Sequence, residues 1–317
     1  MAWAILRAAC IAAIILTPPE GLAFQESFAA PRPAKEAPPN LRTDSSLVVI
    51  PIHVTTGIGA SVTTLQRENF RLIDDDVEQP IAHFDRDDAP ISIGVLFDSS
   101  GSMRPRMLKA AEAVASFFRT ANTEDEFFLV QFSDKAKLVL PFTSDSESIY
   151  NRVAAIRPSG QTALFDAIHI ALQQMKKARH TRKAIVIISD GGDNWSRHSA
   201  REIRNELVES DTQLYAMGIF DPDYAAKGPA ETRKGPGLLD ELAGLTGGRH
   251  YPVGNLDDLP AISAKIGNDL RNEYLLGYYP SIARDGKYHK VKVNVAEPEG
   301  MSGLRTYYRR GYYAPSQ

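Results

Sequence analysis

Apolar and polar residues along this chain follow two rhythms. Between residues 89 and 271, short apolar runs alternate with stretches whose apolar residues recur at three- and four-residue spacing, which predicts strands separated by amphipathic helices. The strand-like runs are 91–97, 127–132, 137–140, 184–189 and 214–219, with a short last strand at Tyr251. Helical spacing appears at Met107, Ala111, Val114 and Phe118, at Ile149, Val153 and Ile156, and most clearly over 164–175. It returns over 203–208, over 238–245 before Gly247-Gly248, and over 259–270. Strands separated by helices predict an α/β fold, a doubly wound and mostly parallel sheet with helices on both faces.

Outside that region the rhythm is two-residue. Val48, Ile50, Ile52 and Val54 precede a turn at 57–59, and Phe70-Arg71-Leu72-Ile73 alternates before the acidic turn Asp74-Asp75-Asp76. After Asn272, residues 274–279, 288–295 and 304–308 read as strands with no helix between them. Segments 46–88 and 272–317 therefore predict one small antiparallel β module built from the two ends, on either side of an α/β domain at 89–271.

The N-terminus reads as an export signal. Arg7 is followed by apolar residues 8–16 and then by small residues at Gly21 and Ala23, which places cleavage after Ala23. That apolar stretch is shorter than the about 20 residues of a membrane span. Residues 24–45 are rich in proline and predict an extended linker. Cys10 is the one cysteine and leaves with the signal, so no disulfide is expected in the mature chain. The expected location is periplasmic or secreted, with no transmembrane span in the mature chain. A net charge of −3 gives no case for a nucleic-acid partner.

The candidate chemistry lies where apolar runs end. Asp98-Ser99-Ser100-Gly101-Ser102 follows the run 91–97. Ser189-Asp190-Gly191-Gly192-Asp193-Asn194 follows the run 184–188, and Gly160-Gln161-Thr162 precedes the clearest helix. Carboxylate and hydroxyl oxygens at the carboxyl ends of parallel strands suit a hard divalent cation. Taken singly, each has a plainer reading: Ser100, Ser102 and Thr162 as helix caps, Asp190 as an acceptor for backbone N–H groups in its own turn. Asp166 reads as first-turn helix charge, and His169 as a packing residue.

Together these residues resemble the metal-ion-dependent adhesion site of von Willebrand factor type A domains, whose first loop is Asp-x-Ser-x-Ser. Asp98, Ser100 and Ser102 match that loop, Thr162 the second-loop threonine and Asp190 the third-loop aspartate. The tail, with Tyr274-Leu275-Leu276-Gly277-Tyr278-Tyr279-Pro280 and Arg310-Gly311-Tyr312-Tyr313, looks like that of bacterial VWFA-related proteins described from acidobacteria. That family has Asp-Gly in the front turn where this chain has Asp75-Asp76.

The resemblance implies a bound Mg²⁺ (or Mn²⁺ or Ca²⁺) held by Asp98, Ser100, Ser102, Thr162 and Asp190. It implies a coordination position open to an Asp or Glu carboxylate of a protein partner. Asp193 and Asn194 are expected behind the ligands, and Arg104 and Arg106 on the rim facing the incoming acid. The expectation is a non-enzymatic, exported adhesion module. A scaffold with a structural metal and a metal-assisted hydrolase remain alternatives. No Gly-x-Ser-x-Gly, Walker A or His-Glu-x-x-His pattern supports an enzyme.

Overall fold

Strand β5 (Ile91–Asp98) is buried along its whole length and lies in the middle of the largest sheet. Its side chains divide between two cores. Ile91, Ile93, Val95 and Phe97 point to one face and Leu96 to the other, the period of two that a pleated strand imposes. Ile91–Asp98 pairs in parallel with β6 (Glu126–Phe132) on one side and with β8 (Arg182–Ser189) on the other. Beyond β8 come β9 (Gln213–Ile219) and β10 (His250–Val253), both parallel. Beyond β6, β7 (Ala136–Thr143) closes the edge antiparallel, as the short gap after β6 requires. The protein is seen here as a computed structural model that describes residues 47–86, 88–220, 230–281 and 285–315.

Helices cover both faces. α1 (Met107–Phe118), α2 (Ser146–Ala154) and α6 (Leu259–Arg271) share a core with Ile93, Val95 and Val186. α3 (Leu164–Met175), α4 (Ala200–Glu209) and α5 (Ala230–Leu245) share one with Leu96, Val130 and Ile187. The sheet is thus mostly parallel and covered on both faces, as the alternation of runs predicts. Strand order reverses at β5: the chain goes on to β6 on one side and later returns to β8 on the other. Open α/β sheets present ligand sites at such a point, beyond the strands' carboxyl ends. Asp98 ends β5, and Asp190 follows β8 directly.

The two end segments form the expected antiparallel module, as two sheets that each take strands from both segments. β1 (Val48–Thr55), β4 (His83–Asp85), β11 (Glu273–Tyr278) and β13 (Arg305–Tyr307) make one sheet, in the order β13-β1-β11-β4. β2 (Phe70–Asp74), β3 (Val77–Gln79), β12 (Tyr288–Val295) and β14 (Gly311–Tyr313) make the other, in the order β14-β12-β2-β3. Both feed one apolar core that includes Ile50, Ile52, Leu72, Tyr274 and Val291. A buried ion pair and further hydrogen bonds to buried carboxylates tie this module to the α/β domain. Glu273 accepts from Arg182 at 3.2 Å and from Gln213 at 2.6 Å. Asp269 of α6 meets Ser61 at 3.0 Å and also bonds the Tyr251 hydroxyl. The expected signal, with Arg7 and Cys10, and the proline-rich linker lie outside the described residues. No described helix is long and apolar enough to cross a membrane.

Candidate metal centre

Three loops meet beyond the carboxyl ends of β5 and β8, and hydrogen bonds lace each to the others. In the first loop, the Ser99 N–H and Oγ both donate to the Phe132 carbonyl, at 2.8 and 2.9 Å, which anchors the turn on β6. The Gly101 N–H donates to the Gly160 carbonyl and the Ser159 N–H to the Ser99 carbonyl, each at 2.9 Å, which fixes the second loop against the first. The Asn194 N–H donates to the Thr162 carbonyl at 3.0 Å, and the Thr162 N–H donates to Asn194 Oδ1 at 2.9 Å, which fixes the third loop against the second. Gly160 is required where it stands. Its φ is +81°, and a Cβ there would lie 2.5 Å from Asp134 Oδ2, which sits on a carboxylate that also accepts the Gln161 N–H at 2.7 Å.

Asp98 stands at the centre of this lacing and is fully buried. Its Oδ1 accepts the Ser100 N–H at 2.8 Å, and its Oδ2 accepts the Ser189 hydroxyl at 2.6 Å. Burial pushes its carboxyl up to about 7, and the charge of Asp190 adds to the rise, against those hydrogen bonds. Ser100 Oγ and Ser102 Oγ lie 3.1 Å apart. Asp98, Ser100, Thr162 and Asp190 are all buried, with Ser102 half-buried beside them. Two buried acids with neutral hydroxyl neighbours fit a divalent cation. Without one, the two negative charges repel in a poorly solvated place, and a cation would relieve that while taking neutral oxygens as further ligands.

Asp193 and Asn194 act on the loops. Asp193 Oδ2 accepts the Phe165 N–H at 3.0 Å in the first turn of α3 and the Ser196 hydroxyl at 2.5 Å. Asn194 clamps Thr162, as above, and its amide donates to Gln161 Oε1 at 3.0 Å. The two arginines separate. Arg104 is exposed, whereas Arg106 is buried and donates to the Ser102 carbonyl at 2.6 Å. Placing Arg106 on the open rim is therefore corrected: its guanidinium folds back to brace the loop, since a buried guanidinium needs acceptors close by.

Three residues that hold the site escape the motif. Ser189 links Asp98 to the Gly191 N–H, at 2.6 and 2.9 Å. The sequence signal was a hydroxyl closing an apolar strand. Asp134 holds the second loop through the Gln161 N–H. Asp166 is more than helix charge: it is buried and accepts the backbone N–H groups of Arg197 and His198 at 3.0 and 3.1 Å, with the His198 ring at 2.7 Å. Burial would raise its carboxyl, but the bonds from His198 and Arg197 prevail and hold it below the usual range.

Residues 93–192 match the family model described as the von Willebrand factor type A domain, and that span contains all five candidate ligands. The chain is 25% identical to an uncharacterized protein of Borreliella burgdorferi over 186 residues, 52% of this chain and 54% of that protein. It is 24% identical to inter alpha-trypsin inhibitor heavy chain 4 of Mus musculus over 164 residues, 45% of this chain and 17% of that one. The chain thus spans about half, or less, of the length of these curated relatives. Among solved structures, a von Willebrand factor type A protein of Catenulispora acidiphila superposes with a TM-score of 0.50 at 13% identity, covering 71% of this chain and 67% of that one. At that identity the likeness speaks for the fold.

Proposed function

We propose that this chain, whose central domain is of the von Willebrand factor A type, binds a protein partner through a divalent cation. Asp98, Ser100 and Ser102 would hold the ion, and Thr162 and Asp190 would complete its shell directly or through water. The ion, when bound, supplies a Lewis-acidic position that accepts a carboxylate from the partner. The observation that carries this reading is the fully buried Asp98 at the end of β5, its carboxyl raised by burial and by Asp190, with two serine hydroxyls on the same turn. Mg²⁺ is the expected ion, because the ligand set is all oxygen and mostly neutral; Mn²⁺ and Ca²⁺ accept the same donors.

The rim fits a partner acid. Arg104 is exposed two residues after Ser102. Trp195 is 58% exposed, while its N–H donates to the Thr162 carbonyl at 3.2 Å, which keeps its backbone at the site. An exposed cation and an exposed indole beside a metal suit a protein surface presenting Asp or Glu. The three loops are laced by hydrogen bonds that do not pass through the ion, so the ion serves binding more than folding. In this reading the chain is an exported, non-enzymatic module, acting in the periplasm or outside the cell.

The test is retention of envelope proteins on the immobilised full chain, in Mg²⁺, in EDTA, and with Asp98→Ala. Metal-dependent adhesion predicts capture in Mg²⁺ alone, lost in EDTA and in the variant while both stay folded. Capture indifferent to metal and to Asp98 would contradict it. Loss of fold on chelation would point to the structural-metal scaffold instead.

A further inference from the structure

Strand β2 sends Phe70 and Leu72 into the core of the β module, and the next inward position holds Asp74, fully buried. Strand β12 sends Val293 and Val291 inward, and its next inward position holds His289, 3% exposed. Asp74 pairs with Val291, so an acid and an imidazole stand at neighbouring core positions where the pattern calls for aliphatic residues. Asp74 Oδ2 takes two hydroxyls, from Tyr278 at 2.9 Å and Tyr312 at 3.1 Å. Asp74 Oδ1 is buried and has no hydrogen-bond partner among the described residues. A buried carboxylate oxygen left bare is costly and calls for a ligand.

The hairpin between β2 and β3 supplies a third donor. Asp75 and Asp76 both have positive φ, 44° and 65°, and the turn carries Asp75 over β12. Its N–H donates to the Lys290 carbonyl and its Oδ1 accepts the Lys290 N–H, both at 2.9 Å. Its Oδ2 lies 2.9 Å from His289 Nδ1. The other ring nitrogen, Nε2, lies 3.1 Å from Asp285 Oδ1. One donor atom each from Asp74, Asp75 and His289 fall within 4.8 Å of one another.

We infer that Asp74, Asp75 and His289 Nδ1 form a second cation site, for a divalent transition metal of the Zn²⁺ class, with Asp285 orienting the imidazole through Nε2. The donor set makes the choice. An imidazole nitrogen with carboxylates favours Zn²⁺ over Mg²⁺ or Ca²⁺, which take oxygen almost alone. Donors around a tetrahedral Zn²⁺ at 2.0–2.1 Å stand roughly 3.3 Å apart, so the group closes on the ion by side-chain shifts on the order of 1 Å. A carboxylate on the far nitrogen of a ligating histidine is the usual support for such a bond, and Asp285 occupies that place. The ion would take the position of the proton between His289 and Asp75 and would give Asp74 Oδ1 the partner it lacks. Through Asp74 and the hydroxyl of Tyr278 on β11, it would tie one sheet of the module to the other. This site shares no residue with the rim of Asp98.

The test uses the full chain carrying Asp98→Ala, so that the first site is silent. After chelation, ZnCl₂ is titrated by calorimetry and CoCl₂ by visible absorption near neutral pH. One equivalent of Zn²⁺ should bind, the Co²⁺ form should show d–d bands, and the melting temperature should rise. Asp75→Asn and Asp285→Asn alter exposed or half-exposed side chains and leave the core intact. Asp75→Asn should weaken Zn²⁺ at least tenfold, and Asp285→Asn roughly 10–100-fold. Nitrogen-15 NMR of the histidines should show the His289 Nδ1 resonance shift on adding Zn²⁺. Absence of binding at millimolar Zn²⁺, an unmoved His289 resonance, or equal affinity with and without Asp75→Asn would overturn the assignment and leave His289 as an imidazolium between two acids.

Discussion

In the metal-free protein the Asp98 carboxyl ionises against its surroundings, and Asp98→Asn removes that conflict. The carboxyl rises from 3.8 to about 7, a shift of about 3 pH units, worth about 4 kcal/mol at most at 1.36 kcal/mol per unit. A carboxyl whose folded pKa is raised costs nothing below its unfolded value. The cost grows as pH climbs from about 4 to about 7 and is complete above that, because the folded state binds the extra proton throughout this window. Asparagine keeps the acceptor for the Ser100 N–H, but Ser189 must turn to accept rather than donate, a loss of about 1 kcal/mol. Net, Asp98→Asn should stabilise the metal-free chain by about 3 kcal/mol near pH 8 and by little near pH 4. At about 2–4 °C per kcal/mol, that is on the order of 6–12 °C in melting temperature. The assay is thermal or urea unfolding of both proteins in EDTA between those limits, the difference reporting Asp98 together with its repulsion by Asp190. In saturating Mg²⁺ the order should reverse, since only the wild type gains from the ion. A variant no more stable than wild type near pH 8, or a difference flat with pH, would refute the reasoning.

Other outcomes follow from the same physics. Gly160→Ala must hold a Cβ at positive φ and against Asp134, so it should cost at least about 1–2 kcal/mol and weaken Mg²⁺ binding measured by calorimetry. Asp76→Gly relaxes a residue at φ 65° and should raise stability by up to about 1 kcal/mol in urea unfolding, offset in part by glycine's unfolded freedom. His53 is buried, chiefly for that reason its pKa is lowered to about 4, and stability should fall as pH drops from about 6.5 toward 4. His53→Gln should flatten that part of the acid-unfolding curve. Arg182→Met takes the cationic partner from Glu273, a carboxyl whose pKa burial already raises, and should cost about 3–5 kcal/mol in chemical unfolding.

The parts of the fold that sequence pattern conveys are those where one period runs unbroken. β5 reads correctly because its run is mostly apolar and buried along its whole length, and α3 because its apolar residues recur every third and fourth position on its buried face. The start of α5 was hidden. Lys234-Gly235-Pro236-Gly237 has poor helix propensity, and helical spacing of apolar residues begins only at Leu238. The structure shows why glycine is tolerated: a Cβ on Gly235 would lie 2.8 Å from the Asp190 carbonyl, so the helix backbone packs directly on the third loop. The pairing of the end segments was equally illegible. β1 and β4 are near in sequence, yet β11 comes between them, since alternation tells which face a residue takes and not which strand lies alongside. At the rim, Asp98, Ser100, Ser102, Thr162 and Asp190 stood out by spacing. Ser189, Asp134 and Asp166 did not, because their work is hydrogen bonding to loops that sequence alone does not bring together. Arg106 was misplaced for a related reason: the exposure of a charge depends on where the turn sends it.

The most direct measurement of the central claim is a crystal of the full chain grown or soaked in MnCl₂, with anomalous diffraction collected to locate the ion. The account predicts an anomalous peak within coordination distance of Asp98, Ser100 and Ser102, with Thr162 and Asp190 turned toward it. A rim empty at saturating Mn²⁺, with those side chains bonded only among themselves, would contradict it.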